Sequence, residues 1–569
     1  MSNNYPKTDS TDFYKKINII YGDQFTIKKP KEKQTMKELC LPKKFKLQEP
    51  QKFISNYINP KTPYTGILVY HKIGSGKTCT AIQIGEKWKH KRKIFVVVPA
   101  SLITNFKDEL RSKCANEEYI TNTERKLLKS LHPSDKEYKT IIKKSNERIS
   151  EFYTIISYNK YVDLCDKKQL SLTNTVLMID EIQNMISDNG TWYRKLYESI
   201  MNAPNNLRII LLSATPIFDK PNEIAQMMNL LRLPESFPTG TKFNDMFLEP
   251  YKLPTKEITY HIKNKDIFKQ MIKGYVSYYS GADPITFPEL EVKYVKCVMS
   301  DFQYKCYKTV MTREGPFKSG DLLNLPNNFF IGSRILSNIA FPNKETGENG
   351  YNNFKGEYLQ MINLREYSVK FYKILKAIKK AEYPVFVYSN FKEYGGLKTL
   401  IKILHAHGYK NYKVSGQGPK RYAVWSGDEK IELKEEIKNV FNQKENKTGG
   451  LLKVILGSPA IKEGVTLLRV QEVHILEPYW NFSRIDQIIG RAVRYCSHKD
   501  LPPDQRKVTV RIYIATSPKD NMTVDKYILR LAKYKEQIID EFELALKESA
   551  IDCKLNKYAN KDNNIKCDV

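Results

Sequence analysis

The chain has 569 residues, a formal net charge of +30 and 41% apolar residues. At roughly 100–200 residues per domain, this length corresponds to about three to five folded units, and the composition excludes a disordered chain and a small disulfide-dependent scaffold. The excess of Lys and Arg favours a polyanionic partner, because neutralised phosphates release counterions. A Lys-rich solvated surface explains the charge equally well.

The nine cysteines include no CxxC pair. Their scatter argues against a disulfide framework and a structural zinc site, and it favours a reducing compartment. The sequence has no signal-peptide h-region and no run of about 18 apolar residues. We therefore expect neither a signal peptide nor a membrane span.

Two series of short apolar runs alternate with helix-length amphipathic stretches. The first series is TGILVY (65–70), KIFVVVPA (93–100), YTIISY (153–158), TVLMIDE (175–181) and LRIILLSAT (207–215). The second series is YPVFVYSNF (383–391), YKVSG (412–416), LKVILGSP (452–459), VQEVHILEP (470–478) and VTVRIYIA (508–515). Nearly continuous apolar strands separated by helices predict parallel sheets covered on both faces, and hence two α/β domains.

The predicted domain boundaries follow from these series and from shifts in composition. They are an N-terminal extension (1–45), a first α/β domain (46–235) with a Lys/Glu-rich excursion at about 113–150, a bridging region (236–365), a second α/β domain (366–520) and a helical C-terminal extension (521–569).

The segment GILVYHKIGSGKT (66–78) runs from an apolar strand through a loop with two glycines into an amphipathic helix. Such a loop and the helix N-terminus cradle phosphates, while Lys77 reaches the β- and γ-phosphates and Thr78 ligates Mg²⁺. His71 stands where the pattern GxxxxGK[ST] has its first Gly. The segment predicts a nucleotide site.

Two carboxylates, Asp180 and Glu181, follow a buried strand, at the sheet edge where α/β proteins bind ligands. We predict that Asp180 holds Mg²⁺ through water and that Glu181 polarises the attacking water. Ser213 and Thr215 end the next apolar strand and place small hydroxyls beside the expected γ-phosphate.

A helix is predicted to begin near Ser483 or Arg484 and to include QIIGRAVR (487–494). Gln487, Arg491 and Arg494 then share one face at i, i+4 and i+7. Two guanidiniums on one face fit arginine fingers that stabilise γ-phosphate charge across a domain interface, and the alternative is a charged surface face.

Together these segments resemble the superfamily 2 helicases and translocases, whose two RecA-like domains bind ATP between them. The matching segments are GSGKT (74–78), VVVPASLITNF (96–106), TIISYNKY (154–161), DEIQ (180–183), SAT (213–215), VFVYSNF (385–391), GSPAIKEGVTLL (457–468) and QIIGRAVR (487–494). LQEPQKF (47–53) resembles a Swi/Snf-type element and makes Gln51 the candidate adenine reader. DEIQ in place of DEAD or DEAH leaves open how Gln183 couples ATP to the second domain.

The resemblance implies ATP and Mg²⁺ as cofactors, and it implies two further sets of site residues. The nucleotide set is Gln51, His71, Lys72, Ile73, Gly74, Ser75, Gly76, Lys77, Thr78 and Gly464. The nucleic-acid set, whose contacts position the backbone without reading sequence, is Pro99, Ser101, Ser157, Ser389, Ser458 and Thr466.

Four longer segments resemble the helicase-like transcription proteins of nucleocytoplasmic large DNA viruses, namely the early transcription factor small subunit and nucleoside triphosphate phosphohydrolase I. They are GYVSYYSGADPITFPE (274–289), VKCVMSDFQYKCY (295–307), EPYWNFSRIDQIIGRAVRYCSHKDLP (477–502) and LKESAIDCKLN (546–556). This resemblance implies a viral DNA-dependent ATPase of transcription initiation or termination. It also implies duplex DNA and viral transcription machinery as partners, and the virion or host cytoplasm as location.

Two alternatives stay open. An RNA helicase uses the same motifs, although Trp480-Asn481 and LQEPQ favour the duplex-DNA branch. A promoter-binding or scaffold subunit with incidental ATPase activity is the other, and the intact set of candidate catalytic residues argues against it. That set is Lys77, Asp180, Glu181, Arg491 and Arg494.

Overall fold

The structure is a computed structural model that describes residues 5–29, 34–42, 44–131, 135–186, 190–254, 258–317, 330–462, 465–560 and 564–569. The chain forms two compact units. Unit 1 comprises Met1–Pro250, Tyr260–Asp283 and Ile538–Val569, and unit 2 comprises Tyr251–Thr259 and Pro284–Gln537. In the described ranges, no helix combines the length and apolar character that a membrane crossing requires.

Helices and strands alternate along most of the chain. Strands β1 to β15 are Gly66–His71, Lys93–Val98, Tyr153–Ser157, Thr175–Asp180, Arg208–Ser213, Leu248–Lys252, Ile258–Ile262, Val276–Tyr279, Glu289–Val298, Val385–Tyr388, Lys410–Asn411, Arg421–Trp425, Val454–Gly457, Glu472–Ile475 and Lys507–Thr516. Helices α1 to α23 are Phe13–Phe25, Met36–Cys40, Glu49–Tyr57, Lys77–Trp88, Ile103–Leu110, Asn122–Ser130, Lys136–Ser150, Tyr158–Asp166, Thr191–Met201, Glu223–Asn229, Thr241–Phe247, Lys265–Ile272, Asp301–Glu314, Ile331–Asn338, Gly347–Asn353, Met361–Tyr367, Val369–Lys380, Leu397–Ala406, Tyr412–Ser415, Ile431–Phe441, Phe482–Ile489, Val524–Glu548 and Lys557–Asn560.

Unit 1 contains a six-stranded sheet in the order β3-β2-β4-β5-β1-β8. All neighbouring strands in it are parallel. Strands β1 and β4 are buried along their whole length, as expected for apolar strands with helices on both faces. Because parallel strands end at the same edge, His71, Asp180 and Ser213 all lie at one edge of the sheet.

Unit 2 contains a seven-stranded parallel sheet in the order β11-β12-β13-β10-β14-β15-β9. The predicted α/β class with two tandem RecA-like parallel-sheet domains is thereby confirmed. One predicted strand is wrong, because YKVSG (412–416) forms the short helix α19. The Asn411 side chain caps this helix by accepting a hydrogen bond from the Lys413 amide at 3.0 Å, and Gly416 ends it with a φ of 62°.

The N-terminal residues, predicted as an extension, contribute to the core of unit 1. Phe13, Ile17 and Tyr21 of α1 are buried in one apolar cluster with Phe53 and Tyr57 of α3. The four-residue spacing in α1 places these side chains on one helical face. Because the residues around α1 are polar and Lys-rich, composition alone does not reveal this apolar helical face.

The predicted bridging region (236–365) is divided between the two units. Strand β8 pairs with β1 in the first sheet, and β9 pairs with β15 over ten residues in the second. The C-terminal extension is divided as well, since α22 begins in unit 2 and ends in unit 1. Contacts between residues far apart in sequence, rather than composition, set these boundaries.

The cysteines differ from the expectation that no disulfides form. Cys79 is bonded to Cys114 and Cys553 to Cys567, with Cα–Cα distances of 5.6 Å in both pairs. The partners are 35 and 14 residues apart in the chain, so folding rather than a local motif brings them together. The scatter of the cysteines along the chain therefore no longer supports the inference of a reducing compartment.

Candidate active site

The loop between β1 and α4 has the backbone geometry that phosphate binding requires. Gly74 and Gly76 adopt φ values of 80° and 78°, in the left-handed region that side chains disfavour. A Cβ atom at Gly76 would lie 2.5 Å from the Gln51 side-chain nitrogen. Helix α4 begins directly after this loop, at Lys77, so its free N–H groups face the loop.

Gln51 is buried in the first turn of α3, beside the loop. Its Oε1 accepts a hydrogen bond of 2.9 Å from the Gln48 amide, and its Nε2 donates to the Gly76 carbonyl at 3.3 Å. The structure thus brings Gln51 to the nucleotide loop, 25 residues further along the chain. Its role as an adenine reader stays a prediction.

Lys77 lies opposite the two carboxylates that end β4. Its Nζ is 3.8 Å from Oε1 of Glu181. Asp180 is buried, and burial together with the neighbouring Glu181 charge raises its pKa to about 7, while Lys77 acts in the opposite direction. A cation beside Asp180 would stabilise its charged form.

Glu181 is held in position by its own backbone and by two neighbours. Its φ is 50°, and its amide donates a 3.0 Å hydrogen bond to Oδ1 of Asp180. The Tyr158 hydroxyl donates to the carbonyls of both Asp180 and Glu181, the latter at 3.0 Å. Tyr158 lies in the TIISYNKY segment, but its spacing gave no sign of this contact.

Gln183 connects the ends of β4 and β5. Its Nε2 donates to Oε2 of Glu181 at 2.6 Å, and its Oε1 accepts from the Ser213 hydroxyl at 2.7 Å. The Ser213 hydroxyl also accepts from the Thr215 amide at 3.0 Å. A glutamine fits between a carboxylate and a hydroxyl, because its NH₂ group donates while its carbonyl oxygen accepts.

Several features fit a triphosphate and a hard cation. The hydroxyl oxygens of Ser75 and Thr215 are buried without a hydrogen-bond partner among the described residues. Such atoms are costly unless a ligand satisfies them. Lys77 supplies a cation for phosphate, and the half-buried Thr78 hydroxyl and the Asp180 carboxylate are the oxygen donors that Mg²⁺ prefers.

The remaining predicted loop residues lie where the motif placed them. Lys72, Ile73 and Gly74 are half-buried in the loop that follows β1. His71 ends β1, is fully buried, and has a pKa lowered to about 3 by burial and by the Lys77 charge. Gly464 lies outside the described residues.

The arginine-bearing segment in unit 2 differs from the prediction. Helix α21 ends at Ile489, so the expected helical face shared by Gln487, Arg491 and Arg494 is wrong. Gly490 follows the helix, and the Ala492 and Val493 amides both donate to the Ile489 carbonyl in a tightened turn.

The turn nevertheless brings the two guanidiniums together. The side chains of Arg491 and Arg494 both donate to the Val465 carbonyl, at 3.4 and 3.5 Å. The Arg491 side chain also donates to the Gln487 carbonyl at 3.0 Å. Both arginines are half-buried, and the Gln487 side chain is buried.

The predicted nucleic-acid residues differ in accessibility. Ser101 is exposed, Ser157 and Thr466 are half-buried, and Pro99 and Ser458 are buried. Ser389 is fully buried, and its hydroxyl donates to both oxygens of Glu477 at 3.0 and 3.1 Å. In this structure the Ser389 hydroxyl is therefore hydrogen-bonded in the interior of unit 2.

The parallel sheet, the glycine loop and the lysine–carboxylate pair together define a nucleoside-triphosphate-binding α/β protein. Residues 33–351 match the SNF2-related domain, and residues 369–496 match the helicase conserved C-terminal domain. The first match alone spans more than half of the chain. The chain belongs to the SNF2-related helicase family, which confirms the superfamily 2 resemblance, and it is a helicase-family ATPase.

Two viral proteins and one archaeal structure are similar to this chain. A protein of Acanthamoeba polyphaga mimivirus that bears the name of an ATP-dependent RNA helicase is 51% identical over 559 residues, covering 98% of this chain and 97% of its own. A termination factor NPH-I homolog of African swine fever virus is 27% identical over 570 residues, covering 86% and 76%. The Sulfolobus solfataricus SWI2/SNF2 ATPase core in complex with dsDNA is 16% identical, covering 84% and 90%, with a TM-score of 0.29.

Proposed function

We propose that the protein is a Mg²⁺-dependent ATPase that is stimulated by nucleic acid and that moves along or remodels duplex DNA during viral transcription. One observation carries the proposal: Lys77 Nζ lies 3.8 Å from the Glu181 carboxylate, beside the buried Asp180. A lysine, a water-activating carboxylate and a metal-binding carboxylate at one sheet edge are the groups that ATP hydrolysis uses.

Each residue of this group has a role in the proposal. Lys77 binds the β- and γ-phosphates, and Thr78 and Asp180 hold Mg²⁺, which neutralises phosphate charge when bound. Glu181 orients and polarises the attacking water, and Gln183 keeps the Glu181 carboxylate in place through its 2.6 Å hydrogen bond.

Two further residue groups complete the proposed ATPase. Arg491 and Arg494 supply positive charge to the transferred phosphoryl group, and Gln51 reads the adenine. Their support differs in kind. Gln51 donates to the Gly76 carbonyl of the loop, whereas the arginines are supported by the family resemblance and by their shared contact with the Val465 carbonyl.

Duplex DNA is the preferred substrate in this proposal. The SNF2-related match, LQEPQ (47–51) and Trp480-Asn481 support it, and the net charge of +30 suits a polyanion. The accessible or half-buried Ser101, Ser157 and Thr466 contact the phosphate backbone without reading sequence. The relative named as a termination factor supports a role in transcription, with viral transcription machinery as partner, in the virion or the host cytoplasm.

An RNA helicase is the second candidate. The mimivirus relative that is 51% identical over nearly the whole chain bears the name of an ATP-dependent RNA helicase. The motifs of the nucleotide site serve either polymer, so the choice between DNA and RNA depends on contacts outside that site.

Steady-state ATP hydrolysis by the full chain, measured without nucleic acid and with duplex DNA, single-stranded DNA or duplex RNA, tests the proposal. Each polymer is supplied at equal nucleotide concentration and at low salt. The proposal predicts that duplex DNA stimulates hydrolysis most. Preferential stimulation by RNA supports the second candidate, and hydrolysis that no polymer changes contradicts both.

A further inference from the structure

The proposed function leaves unused two segments that mark the viral resemblance, residues 274–289 and 546–556, and these two segments bind each other. The Ile551 amide donates to the Val276 carbonyl at 2.8 Å. The Asn556 side chain donates to the Tyr278 carbonyl at 2.9 Å. Since β8 pairs directly with β1, the C-terminal segment (538–560) lies one strand away from the strand that enters the phosphate loop.

A buried chain of side chains crosses that strand. The His71 Nε2 atom lies 2.9 Å from the Ser277 hydroxyl, which donates to Oδ2 of Asp552 at 2.6 Å. The other Asp552 oxygen accepts from the Tyr278 amide at 2.9 Å. His71, Ser277 and Asp552 are all 0% exposed, and His71 occupies the first glycine position of the phosphate-loop pattern.

These contacts determine where the His71 proton lies. A hydroxyl has one proton, and Ser277 gives it to the Asp552 carboxylate, so the Ser277 oxygen accepts from His71 Nε2–H. The neutral ring then presents an unprotonated Nδ1, an atom with no hydrogen-bond partner among the described residues. Burial and the charge of Lys77, the cation of the nucleotide site, lower the pKa of His71 and so favour this neutral ring.

The same C-terminal segment also binds the residues on either side of His71. The Tyr70 hydroxyl donates to the Glu543 carboxylate, and the Lys72 ammonium lies 3.4 Å from the same oxygen. The side chains of three consecutive residues, Tyr70 to Lys72, therefore bind residues 543–552, either directly or, for His71, through Ser277.

We propose that Asp552, Ser277 and His71 form a positioning relay through which the C-terminal segment holds the phosphate loop in its nucleotide-binding conformation. His71, which the resemblance placed in the nucleotide set, is 0% exposed and does not touch the nucleotide in this proposal, and neither do Ser277 and Asp552. The proposal rests on the proposed ATP site. Residues 543–552 of the C-terminal extension then belong to the nucleotide-binding machinery.

The variant Asp552→Asn tests the relay with minimal change in volume. The Asn oxygen still accepts from the Tyr278 amide, but its NH₂ group now faces the Ser277 hydroxyl. Ser277 must then donate to His71 Nε2, which forces the ring proton onto Nδ1, an atom without a hydrogen-bond partner among the described residues. We expect binding of fluorescent mant-ADP with Mg²⁺ to weaken about tenfold, a change of about 1.4 kcal/mol.

Glu541→Gln is the matched control. Glu541 lies in the same part of α22, is also a carboxylate, and bonds to His261 and to the Ile262 amide, both at 2.7 Å. Its hydrogen bonds go to β7 rather than to the residues that flank the loop, so the relay predicts an unchanged affinity for mant-ADP. An equal loss in both variants would overturn the relay.

A double-mutant cycle separates positioning from general stability. If Asp552 acts through His71, Asp552→Asn should have no further effect on mant-ADP affinity in a His71→Ala background. Additive losses would mean that Asp552 only supports the fold, and would overturn the proposal. Lys77→Ala, measured in parallel, tests the proposed ATP site separately from the relay. If this variant binds mant-ADP as tightly as the wild type, the ATP site itself is refuted.

A measurement on the wild-type chain covers the case in which the variants do not fold. Mg-ADP should slow amide hydrogen exchange at residues 276–280 and 551–556, which lie behind the loop rather than in it. Protection confined to the loop and α4, with no change in these two segments, would overturn the relay while leaving the ATP site intact.

Discussion

The Gln183 side chain donates a 2.6 Å hydrogen bond to the Glu181 carboxylate, two residues before it in the chain. Because the same Gln183 amide accepts from the Ser213 hydroxyl, it ties the proposed water-activating group to the end of the next strand. The departure from DEAD and DEAH at this position therefore has a structural role: a neutral side chain orients Glu181 without competing for a cation.

Replacing Gln183 by Glu should impair hydrolysis more than binding. The new carboxylate would face Glu181, and two like charges at hydrogen-bond distance disfavour the charged form of either group. We expect kcat for ATP to fall roughly 10- to 100-fold, with mant-ADP affinity changed less than about threefold. The exposed Gln270→Glu adds the same charge at a distant site and should leave both values unchanged.

Glu181→Gln should separate nucleotide binding from hydrolysis. The change removes the group that polarises water but leaves Asp180 and Thr78 for Mg²⁺. Turnover should fall by about 10²- to 10⁴-fold while mant-ADP still binds. Glu198→Gln, at a side chain that is 60% exposed on α9, serves as the control. Weak binding with normal turnover would reverse the assigned roles.

Arg491→Ala and Arg494→Ala should each lower the rate of hydrolysis strongly while retaining most of the affinity for DNA. Arginine fingers contribute roughly 10³- to 10⁵-fold in phosphoryl transfer, whereas DNA binding is spread over many phosphate contacts. Lys should not restore the rate fully, because its ammonium lacks the planar fork of Arg. If both variants hydrolyse ATP as fast as the exposed-site control Arg365→Ala, the two arginines only stabilise the turn after α21.

We expect the stability of the folded protein to depend on pH through the Glu223 carboxyl. Burial raises its pKa from 4.5 to about 7, although the Phe218 and Asp219 amides donate to its Oε2 at 2.7 and 2.9 Å. Because the Glu223 pKa is higher in the folded state, its protonated form stabilises the fold. This contribution to the free energy of unfolding is complete below about pH 4.5 and is lost as the pH rises through about 7.

Glu223→Gln keeps an oxygen for both amides and removes the buried charge. At pH 8 the variant should unfold at a temperature roughly 2–4 °C above the wild type, while at pH 5 the two should agree closely. Thermal unfolding at the two pH values measures the difference. A variant that is destabilised equally at both would show that the carboxylate is needed as a charged acceptor.

The sequence predicts the local parts of this account well. The strand, glycine loop and helix around Lys77, and the carboxylates after β4, are contiguous segments whose spacing determines their geometry. The contacts of Gln183 with Ser213 and of Asp552 with Ser277 join residues 30 and 275 apart in the chain, so no local pattern reveals them.

Two predictions differ from the structure. Side-chain periodicity predicts a helix through Arg494, but the glycine at 490 and the turn after it end the helix at Ile489. The cysteine pairs were missed because folding, rather than a CxxC spacing, brings Cys79 to Cys114. The first error is local, because a glycine and the turn after it end the helix, whereas the second reflects a contact that only folding creates.

DNA-stimulated ATP hydrolysis by Lys77→Ala, compared with the wild type, tests the central claim most directly. Lys77 lies at the N-terminus of α4 and its loss removes a phosphate cation without creating a core cavity. The exposed Lys87→Ala, on the same helix, is the matched control. We predict that the wild type and Lys87→Ala hydrolyse ATP and are stimulated by duplex DNA, whereas folded Lys77→Ala retains less than about 1% of that turnover. Wild-type turnover by a folded Lys77→Ala protein would contradict the account.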